Sequence, residues 1–129
     1  MIVVDASALL EILLHTSSAQ RVAQILFGRN DTIHAPHLID LEVLQVLRRY
    51  VLSGAISAAR GDEAVADLID FPITRHAHFV LLERVWQLRH SLTAYDAAYL
   101  ALAEALDAPL ITRDSALAKV GGQVRVEVI

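Results

Sequence analysis

Four carboxylates in this chain, Asp5, Glu42, Asp96 and Asp114, sit at positions where they could act together. Each also has an ordinary structural explanation. Asp5 can cap a helix over residues 8–14, a position that favours Asp, and Ser7 could serve there equally well. Asp114 can cap residues 115–120, with the Thr112 hydroxyl beside it. Asp96 falls in Thr93-x-x-Asp96, which has the spacing of a capping box. Glu42 is the most telling. It lies inside a helical segment, and at ~100° per residue its neighbours are Leu38, Ile39 and Val46, an apolar stripe. An acid there is costly to bury without a partner. Arg49, two turns on, could supply one. Asp40 points to the opposite side of the same helix and reads as solvated.

The elements that must position these groups alternate along the chain. Strands are expected at Ile2-Val3-Val4, at Thr32-Ile33-His34-Ala35, weakly at Phe71-Pro72-Ile73, at Pro109-Leu110-Ile111-Thr112, and over 124–129. Helical segments fall between them: 8–14, a second reaching Phe27, 37–52 ended by Ser53-Gly54, one from Ser57 to about Ile69, 76–90, 93–106 and a short one from Asp114. Gly28 to Asp31 and Gly121-Gly122 read as turns. Strands alternating with helices imply parallel pairing and a three-layer α/β fold in one domain over 1–129.

In such a sheet, ligands bind beyond the carboxyl ends of the strands. Asp5 and Asp114 each follow a strand, Asp96 opens a helix, and Glu42 interrupts an apolar face. All four can meet in one crevice. Clustered carboxylates repel one another, and their pKa values rise unless a cation neutralises them. An all-oxygen site suits Mg²⁺ or Mn²⁺ rather than zinc. Such ions bind phosphate oxygens and activate water for displacement at phosphorus. The acids thus point to phosphoester chemistry without naming a substrate.

Composition narrows the field. Over 129 residues the chain is 55% hydrophobic, and its mean hydropathy is +0.46. A disordered chain is excluded, and no apolar run reaches the ~18 residues that span a bilayer. A small domain this apolar is expected to leave greasy surface for a protein partner. Cysteine is absent, which removes disulfides, thiolate zinc sites and cysteine nucleophiles. No signal peptide is visible ahead of the first strand, so a cytoplasmic location is the default expectation. The net charge of -4 gives nucleic-acid binding no general support, so phosphates would have to be met locally.

The motifs resemble those of PIN domains, and within them the VapC-type toxins of bacterial toxin–antitoxin pairs. The matching segments are Val3-Val4-Asp5-Ala6-Ser7-Ala8-Leu9, then Ala35-Pro36 leading to Glu42-Val43 with Leu47-Arg48-Arg49. They continue with Leu92-Thr93-Ala94-Tyr95-Asp96-Ala97-Ala98-Tyr99-Leu100-Ala101-Leu102-Ala103 and end with Leu110-Ile111-Thr112-Arg113-Asp114. The resemblance implies a five-stranded parallel sheet between helices, a three-layer α/β/α PIN-like domain. It implies that Asp5, Glu42, Asp96 and Asp114 hold one or two Mg²⁺ or Mn²⁺ ions, with Ser7 and Thr112 as supporting hydroxyls. The implied activity is endonucleolytic cleavage of RNA by metal-activated water, leaving the phosphate on the new 5′ end. The implied partners are a second copy, a small antitoxin that wraps an apolar groove, and assemblies of the two.

Other residues carry weaker signals. The six histidines follow no ligand spacing and read as surface or capping residues. Trp86, Tyr95 and Tyr99 read as packing residues rather than base-stacking ones. Arg48, Arg49, Arg75, Arg84, Arg89 and Arg113 read as solvated, with Arg113 nearest the acids in sequence. Two rival functions stand beside the nuclease. A phosphatase with an aspartyl nucleophile typically needs a second Asp two residues after the first, where this chain has Ser7. A non-catalytic RNA- or protein-binding module would use the acids only as caps and ion-pair partners.

Overall fold

The computed structural model of the chain describes residues 1–120 and 122–129. Among them, β1 (Ile2–Val4), β2 (Ile33–Pro36), β3 (Ile73–His76), β4 (Leu110–Thr112) and β5 (Val126–Val128) form one parallel sheet in the order β3-β2-β1-β4-β5. The helices are α1 (Ala6–Leu13), α2 (Ala19–Phe27), α3 (Leu38–Ser53), α4 (Ala58–Asp70), α5 (Leu82–Gln87), α6 (Ala94–Leu106) and α7 (Ser115–Val120). They lie on the two faces of the sheet and give a three-layer α/β/α sandwich, as the strand–helix alternation implies.

β1 is the central strand, and Ile2, Val3 and Val4 are fully buried. A strand covered on both faces has no use for alternating polar residues, hence the unbroken aliphatic run. From β1 the chain builds outward through β2 to β3, then crosses back to add β4 and β5 on the other side. The order therefore reverses between β1 and β4, and a crevice opens beyond their carboxyl ends at such a switch point. α6 packs against this middle region with Ala97 through Ala103 all buried. α3 stops where Gly54 takes a left-handed conformation at φ 79°, which a Cβ would strain. Gly61 lets α4 press onto α3, since a Cβ there would come 2.7 Å from Val51 Cγ2.

The structure departs from the sequence expectations in several places. β3 runs over Ile73–His76 rather than residues 71–73, because its register follows β2: Ile33 pairs with Ile73 and Pro36 with His76. Phe71 instead caps α4 in an extended conformation. The helix expected over 76–90 is a short 3-10 turn at Phe79–Leu81 followed by the short α5. Its apolar residues do not form a buried stripe. Leu81 and Leu88 enter the core, while Phe79, Val80, Leu82 and Trp86 stay exposed. Ser7 is not the cap of α1 but sits within its first turn. Of the turn expected at Gly121-Gly122, Gly121 lies outside the described residues, and Gly122 has φ 55°. Among the described residues no helix is long and apolar enough to cross a membrane.

Candidate active site

Asp5 leaves β1 at the switch point and begins α1. Its Oδ1 accepts the Ala8 N–H at 3.1 Å, an N-cap bond, and the Ser7 hydroxyl at 2.6 Å. Its Oδ2 accepts the hydroxyl of Thr112 from the end of β4. Ser7 Oγ in turn accepts the Arg113 N–H at 2.9 Å and lies 3.4 Å from Thr112 Oγ1. Thr112 Oγ1 accepts the Asp114 N–H at 2.9 Å. Ser7 and Thr112 thus clasp the ends of β1 and β4 around one carboxylate that is only 6% exposed. Asp114, exposed just beyond, caps α7 by accepting the Ala116 N–H at 2.9 Å.

Asp96 enters from the first turn of α6, where Thr93 Oγ1 accepts its N–H at 3.2 Å. Glu42 enters from the middle of α3. The Tyr99 hydroxyl donates to Glu42 Oε1 at 2.5 Å. Arg49 makes no ion pair with Glu42, and among the described residues none of the four acids pairs with an arginine or lysine. The caps foreseen for Asp5 and Asp114 are present, and so is the Thr93 cap of α6. These bonds leave the negative charges uncancelled.

The electrostatics tie the acids to one another. Burial pushes the Asp5 carboxyl above its ordinary pKa, the Ser7, Thr112 and Ala8 bonds pull it back, and the charge of Asp96 adds to the rise. Burial also raises Glu42, the Tyr99 bond opposes that, and Asp96 and Asp5 reinforce it. Asp96 is raised by burial and then by Asp114, with Thr93 easing it. Asp96 therefore feels or affects each of the other three acids and forms the hub of the group. The donors are hard oxygens with unneutralised charge, the kind of set a hard divalent cation such as Mg²⁺ or Mn²⁺ takes. Asp5, Glu42, Asp96 and Asp114 are the residues that could hold one. Among the described residues, no three carboxylate or imidazole groups form a ready-made cage, so coordination requires side-chain rotation.

Some residues behave differently from their sequence reading. Asp40 is not merely solvated: Arg75 Nε meets its Oδ2 at 2.8 Å across 35 residues. Arg113 pairs with Glu11 at 3.4 Å and donates to the Ile129 carbonyl at 2.6 Å. Arg84 is held by Glu104, and Arg89 lies over Trp86 at 4.7 Å. Arg48 and Arg49 remain exposed on α3, without ion pairs among the described residues. His34 and His76 are not surface caps; their rings join at 2.8 Å between β2 and β3, with Thr32 on the far nitrogen of His34. Tyr99, read as packing, is 1% exposed yet bonds Glu42. Its spacing three residues beyond Asp96, on the same helical face, was the available signal.

The sheet order and the acids at its switch point define a PIN-like fold. The family model described as "PIN domain" matches residues 2–123, and the chain belongs to that family. Among curated relatives it is 40% identical over 121 residues to the VapC ribonuclease Mb0985 of Mycobacterium bovis, covering 94% of this chain and 91% of the relative. It is 44% identical over 121 residues to ribonuclease VapC1 of Mycobacterium tuberculosis, covering 93% and 90%. Among solved structures it superposes on one titled as a toxin–antitoxin complex from Klebsiella pneumoniae, with TM-score 0.68, 22% identity and coverage of 98% and 96%. At that identity the last likeness speaks to the fold alone.

Proposed function

We propose that this chain is an endoribonuclease of the VapC kind, the toxin of a toxin–antitoxin pair, working with Mg²⁺ or Mn²⁺ at Asp5, Glu42, Asp96 and Asp114. The observation that carries this is the absence, among the described residues, of any cationic side chain on the four acids. Mutually repelling carboxylates, of which Asp5 is buried and Glu42 and Asp96 half-buried, left without an internal counter-ion are the expected form of a divalent-cation site. Their place at the β1/β4 switch in a PIN-family chain, and relatives named ribonucleases, support the same reading. The phosphatase lacks its second aspartate, and a module using acids only as caps and ion-pair partners leaves the uncancelled charge unexplained.

Such an ion, when bound, neutralises phosphodiester charge and activates water for attack at phosphorus. The chain's own residues do the rest. Ser7, Thr112 and the Ala8 N–H fix both oxygens of Asp5. Asp114 is exposed and Asp96 half-buried, so both remain open to a ligand from solvent. Arg48 and Arg49, on the same helix as Glu42 and without ion pairs among the described residues, are local cations able to meet RNA phosphates despite the acidic balance of the chain. Water adds across the P–O3′ bond, leaving a 5′ phosphate on one product and a 3′ hydroxyl on the other.

Two further surfaces belong to this reading of a single PIN domain over 1–129. A groove of about 470 Å³ runs between α1, α2 and α4, lined by Ile12, Leu13, Ala23, Phe27 and Phe71. It suits the apolar face of an antitoxin segment. The exposed Phe79, Val80 and Trp86 suit a second copy of the chain. The test is incubation of purified chain, freed of bound protein, with a panel of structured RNAs. Cutting should require Mg²⁺ or Mn²⁺, stop with EDTA, and vanish in Asp5→Asn; sequencing the new 5′ ends would give the site. Intact RNA in every lane would overturn the proposal.

A further inference from the structure

Beside the acids and their hydroxyl clasps, the site holds another buried polar group: the Tyr99 phenol. It is 1% exposed and lies on α6, three residues after Asp96. It crosses to α3 and donates to Glu42 Oε1 at 2.5 Å, joining residues 57 apart in sequence. A core needing only volume at that position would take Phe, since a buried hydroxyl costs free energy unless it finds a partner. The partner it finds is the one of the four candidate acids that sits in the interior of a helix, flanked by apolar side chains.

We propose that Tyr99 is a positioning residue for the metal site, acting through Glu42; the proposal rests on the metal-dependent reading above. A phenol does here what an arginine cannot. Near neutral pH a phenol carries its proton, so it donates, and it brings no positive charge. It therefore fixes the Glu42 carboxylate without cancelling the anionic charge that a cation needs. It also uses only Oε1. Oε2 accepts no hydrogen bond from the described residues and stays free for an ion shared with Asp96 and Asp5. Groups that orient a metal ligand from behind typically matter tenfold to a hundredfold in metal affinity.

The test is a double-mutant cycle read by Mn²⁺ binding, followed by electron paramagnetic resonance at fixed pH, on the full chain. Tyr99→Phe keeps the ring and removes the donor. It should weaken Mn²⁺ binding roughly tenfold to a hundredfold. In a Glu42→Gln background the same substitution should have almost no effect, because the group through which it acts is gone. Equal affinity in wild type and Tyr99→Phe overturns the proposal while leaving the metal-site reading intact. So does an equal loss in both backgrounds, which would mean general packing damage. No Mn²⁺ binding by wild type overturns both together. Should Tyr99→Phe fail to fold, the near-ultraviolet difference spectrum on adding Mg²⁺ decides instead. A tyrosine band shift in wild type that is missing in Glu42→Gln supports the proposal, and no shift in wild type overturns it.

Discussion

Thr112 Oγ1 donates to Asp5 Oδ2, closing the ends of β1 and β4 over a carboxylate 107 residues away in sequence. Thr112 is fully buried, and its oxygen also receives the Asp114 N–H, so one hydroxyl serves two of the four acids. Thr112→Val keeps the shape and deletes both bonds. A hydrogen bond to a charged buried group is worth roughly 1.5–3 kcal/mol, and we expect a loss of stability of that order near neutral pH. Thr112→Ser should recover most of it. Urea unfolding of the three proteins gives the comparison, and a Thr112→Val protein as stable as wild type would show that the clasp does not hold.

The acids should make the metal-free protein less stable than it could be. Burial raises the folded-state pKa of Asp5 above its ordinary value of 3.8, with Asp96 adding to it. Between the unfolded and folded values the folded chain binds more protons, so stability falls as pH rises through that window. The penalty is fully present above the folded-state value. Asp5→Asn can keep the helix cap and removes the charge. We expect it to stabilise the metal-free chain at neutral pH by about 1 kcal/mol. The gain should shrink as the pH is lowered. Urea midpoints in EDTA across the acidic range would test this, and a destabilised Asp5→Asn at every pH would contradict it.

The histidine pair should act in the opposite direction. Burial, then His76, then the terminal ammonium lower the pKa of His34 from its ordinary 6.5. Here the unfolded chain binds more protons between the two values. The stability is present above 6.5 and is lost as pH falls through the folded value. Two imidazoles joined at 2.8 Å share one proton comfortably but not two. Acidification should therefore loosen β3, the edge strand, from β2 first. Amide exchange of Ala35 and His76 against pH reports this locally, and His34→Gln should flatten the dependence. Protection that is constant through this range in wild type would sink the idea.

Self-association should run through the 3-10 turn and α5. Phe79, Val80 and Trp86 are 78%, 83% and 68% exposed. Sedimentation should find a dimer for wild type and a monomer with unchanged circular dichroism for Val80→Asp. A monomeric wild type at tens of micromolar would remove this surface from the account.

How much of this was legible in the sequence depends on how local each cause is. β1 and the acid at its end are written within five residues, because a doubly covered strand must be aliphatic and its exit carries the candidate carboxylate. The caps at Ser57, Thr93 and Asp114 are equally local. The placement of β3 was not, since an edge strand takes its register from β2 rather than from its own half-buried pattern. The apolar spacing over 76–90 suggested a longer helix, yet most of those residues face solvent, where helical pattern and burial part company. The Arg75–Asp40 pair, the His34–His76 pair and the Tyr99–Glu42 bond join residues 35, 42 and 57 positions apart. Only the folded sheet decides such pairings. The four acids could be singled out because charges on apolar faces and at strand ends are costly, but their grouping around Asp96 needed the topology.

The most direct measurement is anomalous diffraction from a crystal of the chain soaked in Mn²⁺. One or two manganese peaks are expected, bonded to Asp96 and to others among Asp5, Glu42 and Asp114, with no such peaks in Asp96→Asn. Well-diffracting soaked crystals with no manganese at these carboxylates would contradict the metal-site reading.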